Sequence, residues 1–229
     1  MTSSWQWRLV PVGESVVVVE LEEQIDRSVN ARAVSLADRL RAAEVSGVRD
    51  IVPTFRSVAV YFDPLQTDYD ALVRRLESVA SSLDAPAAGR EARTGPIRVP
   101  VCYGGQFGPD LADVAAFGGV TESEAAHLHA SAVYRVFMIG FLPGFAYMGT
   151  VDPRIAAPRR SNPRTRVPAG SVAVAGQQTG IYPSESPGGW QVIGRTTLRL
   201  FDPSRAEPST FIAGDLVQFY AVSPVEIGL

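Results

Sequence analysis

The strongest constraint on the fold of this chain is a change in sequence pattern near residue 90. Residues 1–83 alternate β-branched runs with amphipathic stretches, whereas residues 97–229 contain many short β-type runs separated by glycine and proline. Between them, residues 84–96 are small, polar and contain proline and glycine, which is typical of a linker. We therefore predict two domains, a small α+β domain over 1–90 and a mainly-β domain over 97–229.

The first domain has the pattern of one sheet covered by two helices. A β-branched run follows a Gly-Glu-Ser turn and predicts a hairpin with the preceding aromatic segment. Two later stretches carry apolar residues at helical spacing, and Thr67 or Asp68 is the expected cap of the second helix. The predicted strands are at 7–10, 16–19, 51–53 and 57–62, and the predicted helices are at 30–44 and 68–83.

The second domain has the pattern of a β-barrel or a β-sandwich. Short apolar runs recur between turns, and only residues 110–133 have helical spacing. Within that helical region, Thr121-Glu122-Ser123-Glu124 predicts a capping box. The predicted strands are at 98–103, 133–139, 171–175, 190–193, 197–201 and 215–222.

Composition excludes several classes of function. The chain is 46% apolar and 20% charged, which is typical of a folded protein. All 21 basic residues are arginine, so no mechanism that needs a lysine of this chain, such as a Schiff base or a P-loop, is available. The formal net charge of -3 argues against a nucleic-acid partner, because phosphate binding requires a basic face.

The sequence also predicts the compartment. The one cysteine, Cys102, excludes an internal disulfide and fits a reducing environment. No apolar run approaches the roughly 20 residues that span a bilayer. The N-terminus lacks the basic start and long apolar stretch of a secretory signal. We therefore expect a cytoplasmic protein with no membrane partner.

Three segments of the second domain carry side chains suited to a functional site. Residues 136–149 are uncharged and aromatic, which predicts either a buried strand entering a packed loop or an apolar wall of a ligand pocket or partner groove. Residues 154–166, which we call the arginine-rich loop, hold five arginines. This predicts either an ion-paired, solvated loop or a site for carboxylate or phosphate oxygens. Residues 177–196 mix amide, hydroxyl and charged groups between turns, which predicts either a small polar ligand site or a turn-capping connection.

The two histidines do not have the spacing of a metal site. His127 and His129 are two residues apart on a predicted helix, so their side chains point about 200° apart and do not bind one metal together. We expect one to face the core and the other the solvent. The one that faces polar loops is either a structural histidine or a general acid or base. The glycine-rich run 104–108 resembles a phosphate-binding loop only faintly, because it lacks the P-loop lysine and spacing.

Several longer runs together resemble one known family. They are YGGQFGPDL at 103–111, GFLPGFAYMG at 140–149, PR at 158–159 and 163–164, VPAGSV at 167–172, QTGIYP at 178–183 and SPGGW at 186–190. These runs resemble the 5-oxoprolinase B-subunit family, whose members are also called allophanate hydrolase subunit 1 or KipI-like proteins. The resemblance covers nearly the whole chain and is densest from 99 to 222.

The resemblance implies both a fold and an activity. The C-terminal region is expected to be a cyclophilin-like β-barrel. The activity is expected to be an ATP-dependent 5-oxoprolinase that opens the lactam of 5-oxoproline to glutamate, with ATP as a co-substrate accompanied by Mg²⁺. The expected partners are a homologue of the 5-oxoprolinase C subunit, of the allophanate hydrolase subunit 2 type, and the A subunit of 5-oxoprolinase. The chain is expected to be inactive alone and to hold no cofactor of its own.

The resemblance also directs attention to particular residues. Coupling lactam opening to ATP requires cationic groups for phosphoryl charge, an anchor for the substrate carboxylate and a proton carrier. The family has a helix histidine at the position of His129, and we expect this residue and the arginine-rich loop to line one anion-binding pocket. The expected catalytic residues are His129, Arg166 and Arg195, the expected substrate- or nucleotide-binding residues are Arg164, Ser171, Gln178, Tyr182 and Trp190, and no metal ligands are expected.

Two other functions remain open from the sequence. One is a regulatory binding protein that inhibits a sensor histidine kinase, as the KipI name implies. The other is a prolyl isomerase, although a cyclophilin-like fold alone does not carry that activity. The aromatic segment 141–147 fits a pocket and a docking surface equally well. A neighbouring gene for a C-subunit homologue favours the enzyme, and a neighbouring sensor kinase gene favours the regulator.

Overall fold

The described part of the chain forms two compact units. The computed structural model describes residues 6–24, 26–82 and 95–228. The first unit comprises residues 1–92 and the second comprises residues 93–229. The predicted linker over 84–96 lies almost entirely outside the described residues. Within the described ranges, no helix is both long enough and apolar enough to cross a bilayer.

The N-terminal unit is a four-stranded antiparallel sheet that shares one apolar core with two helices. Its elements are β1 (Arg8–Pro11), β2 (Val16–Glu20), α1 (Arg27–Ala42), β3 (Val48–Pro53), β4 (Ser57–Phe62) and α2 (Tyr69–Ser81). The strand order is β1-β2-β4-β3. Alternate residues of the central strands, such as Val17 and Val58, are fully buried and pack with apolar residues of both helices. The predicted order β-β-α-β-β-α is confirmed.

The two helices begin at capping aspartates. Helix α1 begins at Arg27 rather than at residue 30, because the Asp26 carboxylate accepts hydrogen bonds from the backbone N–H groups of Ser28 (2.7 Å) and Val29 (3.4 Å). Helix α2 follows Asp68, whose carboxylate accepts from the Ala71 N–H at 3.0 Å. The predicted cap of the second helix is therefore confirmed, and the cap of the first was missed.

The C-terminal unit is a closed seven-stranded barrel with two helices. The barrel order is β10-β7-β6-β13-β5-β12-β9, and it closes between β10 and β9. One pair, β13 with β5, is parallel, and the other pairs are antiparallel. A separate ribbon joins β11 to β8. The elements are β5 (Ile97–Tyr103), α3 (Leu111–Gly118), α4 (Glu122–Ser131), β6 (Val133–Ile139), β7 (Ala146–Gly149), β8 (Arg164–Val167), β9 (Ser171–Ala175), β10 (Gln178–Ile181), β11 (Ser186–Gly188), β12 (Gln191–Arg195) and β13 (Leu216–Ala221).

Two parts of this unit differ from the sequence prediction. The helical region 110–133 forms two helices, because Gly119 has a φ of 64° and ends α3 in the left-handed conformation. The Thr121 cap at the start of α4 is confirmed, since its hydroxyl accepts from the Glu124 N–H at 3.1 Å. The strand predicted at 197–201 is wrong: within the described residues this segment makes one isolated bridge, from Phe201 to Ser209.

Candidate functional site

Five aromatic side chains form a cluster that is separate from the main barrel core, and we call it the aromatic cluster: Phe141, Phe145, Tyr147, Tyr182 and Trp190. Phe145 lies at its centre, with the other four ring centroids 4.8–5.6 Å away. These edge-to-face pairs each add about 0.5–1.5 kcal/mol beyond simple burial. Phe145, Tyr182 and Trp190 are almost fully buried, whereas Tyr147 is half-buried.

Phe141 is held facing solvent by two consecutive tight turns. The Leu142 N–H donates to the carbonyl two residues earlier at 2.8 Å, around Phe141 with a φ of 67°. This is a γ-turn with an unfavourable backbone conformation for a non-glycine residue. The Phe145 N–H then donates to the Leu142 carbonyl at 2.9 Å, with Pro143 and Gly144 (φ 84°) at the central positions of a type II turn. Phe141 remains 61% exposed.

The segment 136–149 therefore divides between the two roles predicted for it. Its strands β6 and β7 belong to the barrel, and Val136 and Met148 are fully buried in the core. The interpretation as a buried strand entering a packed loop is confirmed for this part. Phe141, in the loop between β6 and β7, is instead exposed to solvent.

Four of the five arginines of the arginine-rich loop pair with carboxylates of this chain. Arg160 and Arg164 share a buried partner, Asp110, while Arg166 forms an exposed bidentate pair with Glu185. The remaining one, Arg154, pairs with Asp152 and Glu124. For these four arginines the structure supports the ion-paired interpretation of the loop.

Asp110 is the centre of the buried ion cluster. It is 1% exposed and accepts hydrogen bonds from Arg160 Nη1 (2.7 Å), from Arg164 Nη1 (2.8 Å) and Nη2 (2.7 Å), and from the Val192 N–H (2.7 Å). It precedes α3 but its side chain does not cap that helix. The hydrogen bonds to Asp110 raise the pKa of Arg164 above its usual value. Two guanidinium groups share the one buried carboxylate, and the charge of Asp113 also acts on Arg164.

Arg159 differs from its four neighbours. It is exposed and forms no ion pair among the residues that the structure describes. Its guanidinium carbon lies 6.0 Å from the centroid of the Trp190 ring, at the limit of a cation–π contact. Burial raises the pKa of both Tyr147 and Tyr182, and the positive charge of Arg159 opposes that rise. Arg159 therefore lies at the polar edge of the aromatic cluster.

His129 lies inside the barrel in a closed hydrogen-bond network. Its Nδ1 is 2.7 Å from the Tyr103 hydroxyl, and its Nε2 is 2.7 Å from the Thr179 hydroxyl. Thr179 itself donates to the Ala173 carbonyl at 3.1 Å. We therefore assign the Nε2–H tautomer, in which His129 donates to Thr179 and accepts from Tyr103.

Burial keeps His129 neutral. The side chain is 0% exposed, and burial lowers its pKa from 6.5 to about 3. The ring packs against Phe219, with centroids 4.5 Å apart. The side-chain hydrogen-bond partners of His129 are hydroxyls rather than arginines, and its complete burial gives the predicted proton-transfer role no support. His127 faces solvent, as expected for one of the two histidines.

The other predicted residues lie on barrel strands. Ser171 and Arg195 are partners in the β9–β12 pair, and Arg195 Nε donates to the Ala169 carbonyl at 3.2 Å. Gln178 begins β10 and is half-buried. Of the predicted binding residues, the structure brings Tyr182 and Trp190 together in the aromatic cluster.

The glycine-rich run 104–108 uses its backbone internally. The Gly104 N–H donates to the Ile193 carbonyl at 3.1 Å, and the N–H groups of Phe107 and Gly108 donate to the Gly104 carbonyl. These amides are therefore not directed at a phosphate. Within the described ranges, no group of three or more His, Cys, Asp or Glu side chains is arranged to hold a metal ion.

Comparison with known proteins defines the class first. The family described as "Carboxyltransferase domain, subdomain C and D" matches residues 7–211. The crystal structure of TTHA0988 superposes with a TM-score of 0.80 and 35% identity, covering 91% of this chain and 40% of that one. The urea carboxylase of Kluyveromyces lactis superposes with a TM-score of 0.74 at 20% identity, covering 97% of this chain and 22% of that one, and shows the fold alone.

Full-length relatives then narrow the class. The 5-oxoprolinase B subunit of Bacillus subtilis (strain 168) is 37% identical over 226 residues, which are 95% of this chain and 94% of the relative. The 5-oxoprolinase B subunit of Escherichia coli O157:H7 is 42% identical over 209 residues, which are 91% and 93% of the two chains. The chain therefore belongs to the carboxyltransferase C/D-subdomain family and, within it, to the 5-oxoprolinase B-subunit family.

Proposed function

We propose that this chain is the B subunit of an ATP-dependent 5-oxoprolinase. Together with a C-subunit homologue and the A subunit, it adds water across the lactam C–N bond of 5-oxoproline to give glutamate. The observation that carries the proposal is the 37–42% sequence identity, over nearly the full length, with two proteins named as B subunits of 5-oxoprolinase. Coupling to ATP follows from the chemistry, because opening this lactam is uphill near neutral pH.

The substrate site of this chain is proposed to lie at the aromatic cluster. Tyr182 and Trp190 meet there, and Arg164 of the Asp110 cluster lies close enough to act on the Tyr182 phenol. Arg166 is engaged with Glu185 on the surface, so the geometry gives it no support as a catalytic cation. Arg195 remains a candidate for stabilising developing negative charge.

The nucleotide is proposed to bind on another protein of the complex. The chain has no lysine, and three amides of its glycine-rich run, those of Gly104, Phe107 and Gly108, donate within the chain. The chain therefore lacks a P-loop lysine, and its glycine-rich run does not offer a complete backbone cradle for a triphosphate. A partner subunit would then hold ATP and Mg²⁺, which would supply the phosphoryl group that activates the lactam.

The purified chain alone is expected to release no glutamate from 5-oxoproline with ATP and Mg²⁺. The physical reason is that it has no lysine for a P-loop and that the nucleotide is proposed to bind on a partner. Adding a C-subunit homologue and the A subunit is expected to restore glutamate release coupled one-to-one to ADP formation. Glutamate release by the chain alone contradicts the proposal that the nucleotide binds on another subunit. An inactive three-protein mixture contradicts the proposed reaction.

The chain is also expected to form a stable complex with the C-subunit homologue through its second unit. Phe141 is 61% exposed on a loop fixed by two turns, so docking it costs little conformational entropy. Phe141→Ser is expected to weaken the complex about tenfold or more, measured by titration and size-exclusion chromatography. Leu65→Ser is the matched control, since Leu65 is 94% exposed on the first unit. Equal effects of the two substitutions contradict the assignment.

The remaining features implied by the family are part of the same proposal. We assign the barrel to the cyclophilin-like class and the two units to domains over 1–90 and 97–229. The cytoplasm, where 5-oxoproline and ATP are both available, is the proposed compartment.

A further inference from the structure

We propose that Arg159 binds the carboxylate of the substrate, and that the Tyr147 side of the aromatic cluster packs against its five-membered ring. This inference deepens the proposed function and rests on it for the identity of the ligand. It also assigns a residue that the arginine-rich loop alone did not single out, because five arginines compete for that role in the sequence.

The first step of the argument is charge. Arg154, Arg160, Arg164 and Arg166 all bind carboxylates of the chain itself. Arg159 forms no ion pair within the described ranges and is exposed. An anion that binds here therefore meets a guanidinium without displacing an internal partner.

The second step is preorganisation. Both neighbours of Arg159 in the chain are fixed to the segment that carries Trp190. The Gln191 side-chain amide donates to the Pro158 carbonyl at 3.0 Å, and the Arg160 N–H donates to the Gly189 carbonyl at 2.7 Å. The backbone that carries Arg159 is thus held beside the Trp190 ring before a ligand arrives, which lowers the entropy cost of binding.

The third step is the size and chemistry of the surface beside Arg159. Trp190 is 5% exposed and Tyr182 is 2% exposed, so they form a floor with little accessible ring area. Tyr147 is half-buried, so part of its side chain is accessible beside the Trp190 ring. This area suits a small, partly apolar ring with one anionic group rather than a stacked nucleobase. A lactam ring with a carboxylate has that chemistry.

The test uses Trp190 as a local reporter in the full chain. The chain has three tryptophans, and replacing Trp5 and Trp7 by Phe leaves Trp190 alone. Titration of its fluorescence with 5-oxoproline is expected to give a saturable change. Arg159→Gln is expected to raise the Kd about tenfold, as for the loss of one charge-assisted pair. Arg205→Gln, an exposed arginine with the same charge change, is expected to leave the Kd unchanged.

A second ligand isolates the carboxylate. The compound 2-pyrrolidinone has the same lactam ring without the carboxylate, so it is expected to bind weakly and equally to the parent chain and to Arg159→Gln. An equal loss for both ligands overturns the carboxylate assignment, as does an unchanged Kd for 5-oxoproline or the absence of any Trp190 response. An Arg159-dependent response to ADP, with none to 5-oxoproline, also overturns it.

Activity of the three-protein complex separates this inference from the proposed function. An Arg159→Gln complex with unchanged kcat/KM for 5-oxoproline overturns the inference while the proposed function stands. An inactive parent complex, combined with Arg159-dependent binding of 5-oxoproline, overturns the proposed function while the binding assignment stands. Thermal unfolding of Arg159→Gln is expected to match the parent, because the side chain is exposed and forms no ion pair within the described ranges.

Discussion

Replacing Asp110 with alanine is expected to lower the free energy of unfolding of the second unit by about 3–5 kcal/mol. Asp110 is almost fully buried and accepts four hydrogen bonds, three of them from two guanidinium groups. Without the carboxylate, two partly buried cations face each other and the Val192 N–H loses its acceptor. Urea unfolding followed by Trp190 fluorescence, with Trp5 and Trp7 replaced by Phe, reports on this unit.

Two companion variants identify the source of that loss. Asp110→Asn keeps the shape of the side chain and removes its charge, and is expected to cost about 2–3 kcal/mol because charged hydrogen bonds are lost. Glu185→Gln removes the acceptor of the exposed Arg166 pair and is expected to cost less than about 1 kcal/mol. A cost for Asp110→Asn as small as that for Glu185→Gln contradicts a central role for the buried charge.

The ion cluster also shows why the site was harder to predict than the fold. Asp110 and Arg164 are 54 residues apart, and His129 and Thr179 are 50 apart. No local pattern reports that such residues meet, since hydrophobic periodicity describes one element at a time. The sequence therefore identified the arginine-rich loop but not which of its arginines has an internal carboxylate. Arg159 stands out only when the partners of the others are known.

The fold was predictable where local signals are strong. The hairpin, the Asp68 cap and the strands at 133–139 and 171–175 each have a clear pattern, and all are present. Strands β7 and β10 were missed because they are four residues long and contain glycine, which is typical of loops. Their pairing on both sides within the barrel makes them strands. Closure of the barrel is a long-range property, and the sequence left it open against a sandwich.

The segment 197–201 illustrates the opposite error. Its alternating residues Leu198 and Leu200 have the pattern of a half-buried strand, and both do pack on the barrel core. The sequence therefore predicted correctly that the leucine side of this segment packs on the core. The segment forms one isolated bridge, between Phe201 and Ser209, rather than a ladder of paired residues. Alternation reports which side chains are buried, and it does not report whether a partner strand lies alongside.

Acidification is expected to destabilise the second unit through His129. Burial lowers the pKa of this histidine to about 3 in the folded chain, whereas its ordinary value is 6.5. Below pH 6.5 the unfolded chain binds a proton that the folded chain does not, so the free energy of unfolding falls as the pH falls. The loss is about 1.4 kcal/mol per pH unit below 6.5, or about 2 kcal/mol between pH 7.5 and pH 5.

Two substitutions on the same helix isolate this effect. His129→Gln removes the titrating group and keeps a side chain with one donor and one acceptor, so its unfolding free energy is expected to fall about 2 kcal/mol less than that of the parent between pH 7.5 and pH 5. His127→Gln makes the same substitution at an exposed position of the same helix and is the control for the substitution itself. Urea unfolding at both pH values, followed by Trp190, measures the three profiles. If the profiles of the parent and His129→Gln run parallel, the histidine titrates alike in the folded and unfolded chains, and its burial does not hold it neutral.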